Sequence, residues 1–296
     1  MPSSAGSLNV CCPCHYAVPV RKDFNMTRRF LSVFMAALGI AAASHQAAYA
    51  RNSNEVTLAV ELYPPFSYRM PDGSLDGFEI QLGNLLCARA GLHCTWSDQS
   101  WDALIPGLMM RKYDAILSSM SVTPEREQQV LFSHPYYNTS HVWVTRRTST
   151  LDPSDIAQMK GKSIGVQRCT TRDDYVTRFY ANTTTVRRYV AEQDISNDMQ
   201  SGRLDAALVD QLTSRDTFRL EDANSPYRQA AAPINKPLDI VGPGVAMAFR
   251  PRDKALAERF NAAIDEVYKD GSIRPIMNKY IGMDILVHSN EGHSSP

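Results

Sequence analysis

Two hydrophobic periodicities alternate along the chain. In "EVTLAVELYPPF" (Glu55–Phe66), Val56, Leu58 and Val60 recur every second residue, which predicts a strand with one buried face. "YPPF" ends it, and "PDGS" (Pro71–Ser74) marks a turn. Phe78, Leu82, Leu85 and Leu86 recur at helical spacing, Trp101–Met110 predicts a second helix, and Tyr113–Ser119 predicts a strand. After about Thr145 the pattern restarts. Lys162–Val166 reads as a strand, Asp173–Tyr180 as a helix, Arg203–Asp210 as a strand and Gly244–Arg250 as another. Two helices follow, Lys254–Lys269 and Ser272–Tyr280, separated by Gly271. Strands alternating with helices predict an α/β fold with mainly parallel sheets.

One stretch echoes another. "KYDAILSS" (Lys112–Ser119) and "RLDAALVD" (Arg203–Asp210) share the order basic, any, Asp, Ala, apolar, Leu. Each follows a helical stretch and ends where a parallel strand meets its crossover loop. Ligands of open α/β sheets sit beyond the carboxyl ends of the strands. The echo therefore puts Ser119 and Asp210 at equivalent edges of two similar lobes that face one cleft.

The 296 residues suffice for two modest domains, and 44% apolar with 21% charged residues is a globular composition. The formal net charge of zero leaves no broad basic surface for nucleic acid. The N-terminus reads as an export signal. "MTRRF" (Met26–Phe30) supplies a basic start, "FLSVFMAALGIAAA" (Phe30–Ala43) an apolar run short for a membrane span, and "AYA" (Ala48–Ala50) a cleavage site after Ala50. Of the 31 basic and 31 acidic residues, segment 1–50 holds four and one, which leaves 27 basic against 30 acidic. No cysteine follows the cleavage site, so no lipid anchor is expected there. Cys11, Cys12, Cys14 and His15 precede Met26, which reads as the functional start. Cys87 and Cys94 meet an oxidising compartment after export, where a local disulfide between them is expected, leaving Cys169 over.

The chemistry concentrates at strand ends. In "AILSSMSVTPER" (Ala115–Arg126) an apolar strand gives way to Ser118, Ser119 and Ser121, then to Thr123-Pro124, a cap followed by a first helical residue. Arg126 then falls in the first helical turn, where the helix dipole disfavours a cation. An anion gripped by the two-toothed guanidinium gives it a reason to be there. "GVQRCTTRDDY" (Gly165–Tyr175) offers a second anion site, with Thr170 and Thr171 ahead of a helix start. Asp210 ends an apolar strand, where a carboxylate needs a partner, either an α-ammonium or a structural cation. Tyr63, Phe66 and Trp101 are candidates for a pocket wall, with core the default for Phe66. Glu61 and Glu79 are acids that can face the same cleft, with solvated surface the default for Glu79.

With these residues in hand, the chain resembles the bacterial periplasmic amino-acid-binding proteins of ATP-binding-cassette importers (solute-binding protein family 3), in the lysine/arginine/ornithine- and histidine-binding branch. The likeness runs from about Glu55 to Ile285 through "YPPF", "GFEIQLGNLLC", "WDALIPGL", "YDAILSSMSVTPER", "FSHPYY", "GKSIGVQ", "SGRLDAALVD" and "KDGSIRPIMNKY". It implies a type II two-lobe binding-protein fold with two hinge strands. The expected lobes are 51–143 with 247–285 and 144–246, with hinges near Val142–Arg146 and Pro243–Ala248. Residues 1–50 are then extension and signal, and 286–296 a flexible tail. Carried over residue by residue, Arg126 clasps the ligand α-carboxylate, with Ser119 and Ser121 beside it. Thr171 and the helix start at Thr170 grip that carboxylate from the other lobe, and Asp210 takes the α-ammonium. Trp101 and Tyr63 pack on the ligand's aliphatic stem, and Glu61 meets its distal charge. Cys87 and Cys94 match the local disulfide of that branch.

Glu61 is longer than the Asp of the nearest lysine/arginine binders, one residue is missing from the family pattern just before Tyr63, and two further positions depart from it. Cys169 stands where a small residue, often Gly, is common, and Arg172 replaces a neutral residue, which bears on ligand choice. The resemblance implies capture without chemistry, no cofactor, no metal, no nucleic acid, a monomer, and delivery to an inner-membrane permease. An opine binder is the alternative in the same class. The alternative in another class is a periplasmic cyclohexadienyl or arogenate dehydratase, which recruits a cleft acid such as Glu61 or Glu79. No nucleophile, base and orienter set is visible for such an enzyme.

Overall fold

A computed structural model of the protein describes residues 54–287. The signal segment, the Cys11, Cys12, Cys14 and His15 group, and the tail beyond 287 lie outside the described residues. The first stretch runs β1 (Glu55–Val60), β2 (Tyr68–Arg69), β3 (Leu75–Asp76), α1 (Phe78–Arg89), β4 (His93–Asp98), a 3₁₀ turn at Trp101–Ala103, α2 (Leu104–Met109), β5 (Ala115–Ile116), α3 (Pro124–Glu127) and β6 (Leu131–Phe132). The chain then crosses into β7 (His141–Arg146), β8 (Ser163–Gln167), α4 (Thr171–Phe179), β9 (Thr185–Tyr189), α5 (Glu192–Gln200), β10 (Ala206–Asp210), α6 (Gln211–Thr217), β11 (Tyr227–Gln229) and α7 (Leu238–Val241). It returns through β12 (Ala248–Phe249), α8 (Lys254–Lys269) and α9 (Ile273–Tyr280).

Two five-stranded sheets result, in the orders β4-β1-β5-β12-β6 and β11-β7-β10-β8-β9. They are mixed, where mainly parallel sheets were expected. β5 runs parallel to β1 but antiparallel to β12, and β10 runs parallel to β8 but antiparallel to β7. The cause is the double crossing. β7 arrives from the other sheet with no helix between, and β12 returns from the other sheet after the short α7, so neither joins its sheet through a strand-helix-strand crossover within that sheet.

The echoed segments take the same place in the two sheets. Asp114, just ahead of β5, accepts the Thr57 amide through its carboxylate at 2.8 Å and donates its own amide to the Thr57 carbonyl at 2.8 Å. Asp205, just ahead of β10, does the same to Ser163, at 2.8 and 3.0 Å. The shared Asp-Ala thus clamps each strand to the parallel neighbour that opens its lobe.

β7 and β10 are buried almost throughout because helices or loops cover both sheet faces, and their sequences read as near-continuous apolar runs. Ile195, Met199 and Phe218 pack on one face of that sheet, and Met159, Val176 and Tyr180 on the other. α8 buries Ala257, Phe260, Ile264 and Val267 at helical spacing against the first sheet. Each such large side chain contributes roughly 1.5–3 kcal/mol. Cys87 and Cys94 form a disulfide that ties α1 to β4.

Three expectations shift. The hinge expected at Val142–Arg146 is instead a central strand, paired on both sides. The crossings lie earlier, between the Tyr137–Val245 bridge and the His141–Ile234 bridge. Leu286, expected to begin the flexible tail, is instead buried and bridges Tyr137. The strand expected over Tyr113–Ser119 pairs only at Ala115–Ile116, after which the chain turns out toward the cavity described next.

Candidate functional site

The carboxyl ends of the strands meet around a cavity with about 400 Å³ of space between the side chains, mouth included. All nine residues assigned to ligand contact from the sequence line it. Glu61 and Tyr63 follow β1, Trp101 opens the 3₁₀ turn, Ser119 and Ser121 follow β5, and Arg126 lies in α3. Thr170 and Thr171 stand at the start of α4, and Asp210 ends β10.

Arg126 is held but not neutralised. Thr123 caps α3, its hydroxyl accepting from the Arg126 amide. The guanidinium folds back to donate to the Ser121 carbonyl at 2.9 Å and lies over the Trp101 ring, 5.2 Å from its centroid. A second donor reaches the Cys169 carbonyl at 3.3 Å. The side chain is buried, and among the described residues it makes no ion pair. Burial pulls its pKa down, with the charge of Asp174 working the other way.

From the second sheet, Thr170 caps α4 through the Asp173 amide and donates its hydroxyl to the Gln167 carbonyl at 2.8 Å. Thr171 Oγ1 shares a 2.9 Å hydrogen bond with His141 Nε2. Asp210 caps α6, one carboxylate oxygen accepting the Leu212 and Thr213 amides at 2.8 and 3.3 Å. Burial raises its pKa, and the charge of Arg172 opposes that.

The two halves touch directly. Trp101 Nε1 donates to the Cys169 carbonyl, Gln167 Nε2 donates to Glu61 Oε1 at 2.7 Å, and the Tyr63 hydroxyl donates to Glu192 Oε2 at 2.9 Å. Arg168 pairs with Asp102 at the rim. Burial pushes the Glu61 carboxyl up to about 8, against the pull of the Gln167 hydrogen bond and the Arg172 charge.

The family model for bacterial extracellular solute-binding proteins, family 3, matches residues 56–283. The chain belongs to that family. This binding protein is 40% identical over 225 residues to the L-arginine-binding protein of Pseudomonas aeruginosa, covering 75% of this chain and 86% of that one. It is 32% identical over 224 residues to the lysine/arginine/ornithine-binding periplasmic protein of Escherichia coli, covering 75% and 85%. It also superposes on a solved Salmonella typhimurium periplasmic binding protein described for high arginine specificity. The TM-score is 0.69 at 29% identity, over 77% of this chain and all of that one. These solved relatives share its two-lobe type II fold.

Several residues at or behind the binding protein's cavity show their contacts only in the structure. Glu79, a candidate cleft acid with solvated surface as its default, lies behind Ser119. It is 1% exposed and accepts from the Ser119 amide at 2.8 Å, the Tyr137 hydroxyl at 2.9 Å and the Ser119 hydroxyl at 3.2 Å. Burial pushes it up to about 7, and those hydrogen bonds hold it down from there. It thereby fixes Ser119 in the left-handed region at φ 49°, the bend that turns the serines toward the cavity. His141, Gln167 and Arg172 also line the cavity. Burial, then Arg172 and Arg126, hold His141 far below the usual imidazole range, so it is neutral. Its position at the first residue of β7 was masked by the hinge expected just after it. The departure at Cys169 has a backbone cause. Its φ is 59°, a conformation that favours glycine, and its side chain leaves the carbonyl aimed at Trp101 and Arg126.

Proposed function

We propose that this protein captures a polar L-amino acid of the cationic group (arginine, lysine, ornithine or histidine) in the periplasm and presents it to the permease of an ATP-binding-cassette importer. One observation carries the reading. Arg126 is a buried guanidinium with no ion pair among the described residues, and it shares a cavity with the carboxylate of Asp210. A buried charge without a partner is costly, and a zwitterion supplies the missing anion to one and the missing cation to the other. The α-carboxylate goes to Arg126, Ser119, Ser121 and the Thr170–Thr171 helix start, and the α-ammonium to Asp210. Trp101 and Tyr63 flank the stem, and Glu61 meets the far end of the side chain. Charge-assisted hydrogen bonds of about 1.5–3 kcal/mol each offset a binding cost of several kcal/mol, and four at the strong end reach roughly micromolar capture.

The lobes hinge at the two crossings, near 138–140 and 235–244, and close through the contacts of Trp101, Gln167 and Tyr63. Among the described residues no helix is long and apolar enough to cross a membrane. A thermal-shift screen of the purified chain against all amino acids, ornithine and simple opines tests this. Millimolar ligand of the cationic group is expected to raise the melting temperature by several degrees, as linkage requires for ligand at about 100 to 1,000 times Kd. A flat response to every amino acid would end the proposal.

A further inference from the structure

Arg172 follows Thr171 in α4 and lines the same cavity, yet none of the roles above uses it. It is only 8% exposed. Its Nε is fully buried with no hydrogen-bond partner among the described residues, and Nη2 reaches Gln167 Oε1 only at 3.5 Å, the limit of a hydrogen bond. Among the described residues it makes no ion pair, and its guanidinium lies 5.9 Å from the Tyr63 ring centroid.

The acids around it are committed elsewhere. Glu192 accepts the Tyr63 and Thr213 hydroxyls, at 2.9 and 2.6 Å, and Asp210 accepts the Leu212 and Thr213 amides. The Gln167 amide stands between Glu61 and Arg172. Its nitrogen donates to Glu61 at 2.7 Å, and its oxygen faces Arg172. A carboxyl and a guanidinium are thus held apart by a neutral amide, and both border the cavity. The far end of the site is bipolar, not simply acidic.

We propose that Arg172 is a specificity-determining residue that, with Glu61, selects a side chain able both to donate and to accept over one that ends in a bare cation. Within the ligand group proposed above, on which this inference rests, that side chain is the neutral imidazole of histidine. One ring nitrogen donates to Glu61 and the other accepts from Arg172, filling the open valence of the guanidinium. Lysine, ornithine and arginine satisfy Glu61 but bring a second cation beside Arg172 in a buried setting, where like charges are poorly screened. A free imidazole is mostly uncharged above its ordinary pKa of about 6.5, so a histidine ligand needs no deprotonation at neutral pH.

Isothermal titration of the full chain with L-histidine, L-lysine and L-arginine at about pH 7.5 tests the inference. Unmodified protein is expected to bind histidine at least tenfold more tightly than lysine. Arg172→Gln is expected to shift the histidine-to-lysine affinity ratio at least tenfold toward lysine. Arg172→Lys keeps the charge, and its ratio is expected within about threefold of the unmodified protein. It also serves if the Gln variant does not fold, because loss of the preference in a folded Arg172→Lys overturns the role assigned to the charge. Tighter binding of lysine or arginine by the unmodified protein overturns the inference and leaves amino-acid capture standing, as does an equal loss for all three ligands in Arg172→Gln. Binding of none of them removes the capture proposal itself.

Discussion

The indole Nε1 of Trp101 donates to the carbonyl of Cys169 at 2.8 Å, across the cavity from one sheet to the other. The same carbonyl accepts from Arg126 at 3.3 Å, and the left-handed backbone of Cys169 aims it at both donors. This contact exists only when the halves are together, so it stabilises the closed form. A neutral hydrogen bond is worth about 0.5–1.5 kcal/mol, or roughly 2- to 12-fold in an equilibrium. Trp101→Phe keeps the ring over Arg126 and removes the donor. Ligand release measured by stopped-flow fluorescence is expected to quicken about 3- to 10-fold, with association nearly unchanged. Unchanged release would mean that the bond plays no part in closure.

Arg126→Ala separates a binding arginine from a structural one. The side chain makes hydrogen bonds to two carbonyls but no ion pair among the described residues. Its loss is expected to weaken amino-acid binding at least a hundredfold, about 2.7 kcal/mol, from two charge-assisted bonds. The melting temperature without ligand is expected to stay within about 3 °C, because removing an unpaired buried charge offsets the lost packing. Calorimetry and thermal denaturation of one preparation check both halves. A fall in stability with intact binding would reassign Arg126 to the scaffold.

Glu79 is the opposite case, a buried acid whose partners all belong to the protein. Glu79→Ala strands the Ser119 amide, a buried donor that costs about 1–3 kcal/mol when unsatisfied, while the Tyr137 hydroxyl keeps Ser119 Oγ as acceptor at 2.8 Å. Urea denaturation is expected to show a loss of about 1–3 kcal/mol. Affinity is expected to fall as well, because nothing then holds Ser119 at its positive φ. A variant as stable as the parent would show that water replaces the carboxylate there.

How much of this was legible in the chain depended on range. α1, α8 and α9 were readable because their apolar spacing is local. The echo of Lys112–Ser119 in Arg203–Asp210 was readable because Asp114 and Asp205 make the same two bonds to equivalent partners. The nine cavity residues were readable through motif order, which records a shared geometry without displaying it. Gln167 was not, and Glu79 was legible only as a candidate cleft acid with solvated surface as its default, because their meaning lies in contacts made over long sequence separations. Glu79 meets Ser119 forty residues on, and Gln167 meets Glu61 106 residues back. Arg172 stood out as a departure bearing on ligand choice, but its burial and its unpartnered Nε show only in the structure. β7 was misplaced as a hinge because an apolar strand beside a lobe boundary has the same local pattern as one inside a sheet.

The two buried acids also give the ligand-free protein a pH dependence with a definite sign. Burial raises Glu61 to about 8 and Glu79 to about 7, from an ordinary 4.5. The folded chain therefore keeps protons that the unfolded chain has already released. The stability these two acids contribute is fully present below about pH 4.5, falls as pH rises from there, and is lost only above the folded values, while His141, held far below the imidazole range, contributes with the opposite sign up to about 6.5. Of these two, Glu79 supplies the part that ends near 7 and Glu61 the part between about 7 and 8. Melting temperature without ligand is expected to decline from about pH 6.5, where His141 no longer opposes the trend, to about pH 8. In Glu61→Gln the decline is expected to flatten between about 7 and 8 while persisting below, since Glu79 is untouched. Differential scanning fluorimetry across a single mixed buffer reads both curves. Parallel slopes above pH 7 would show that Glu61 ionises at an ordinary value and carries its charge in the empty site.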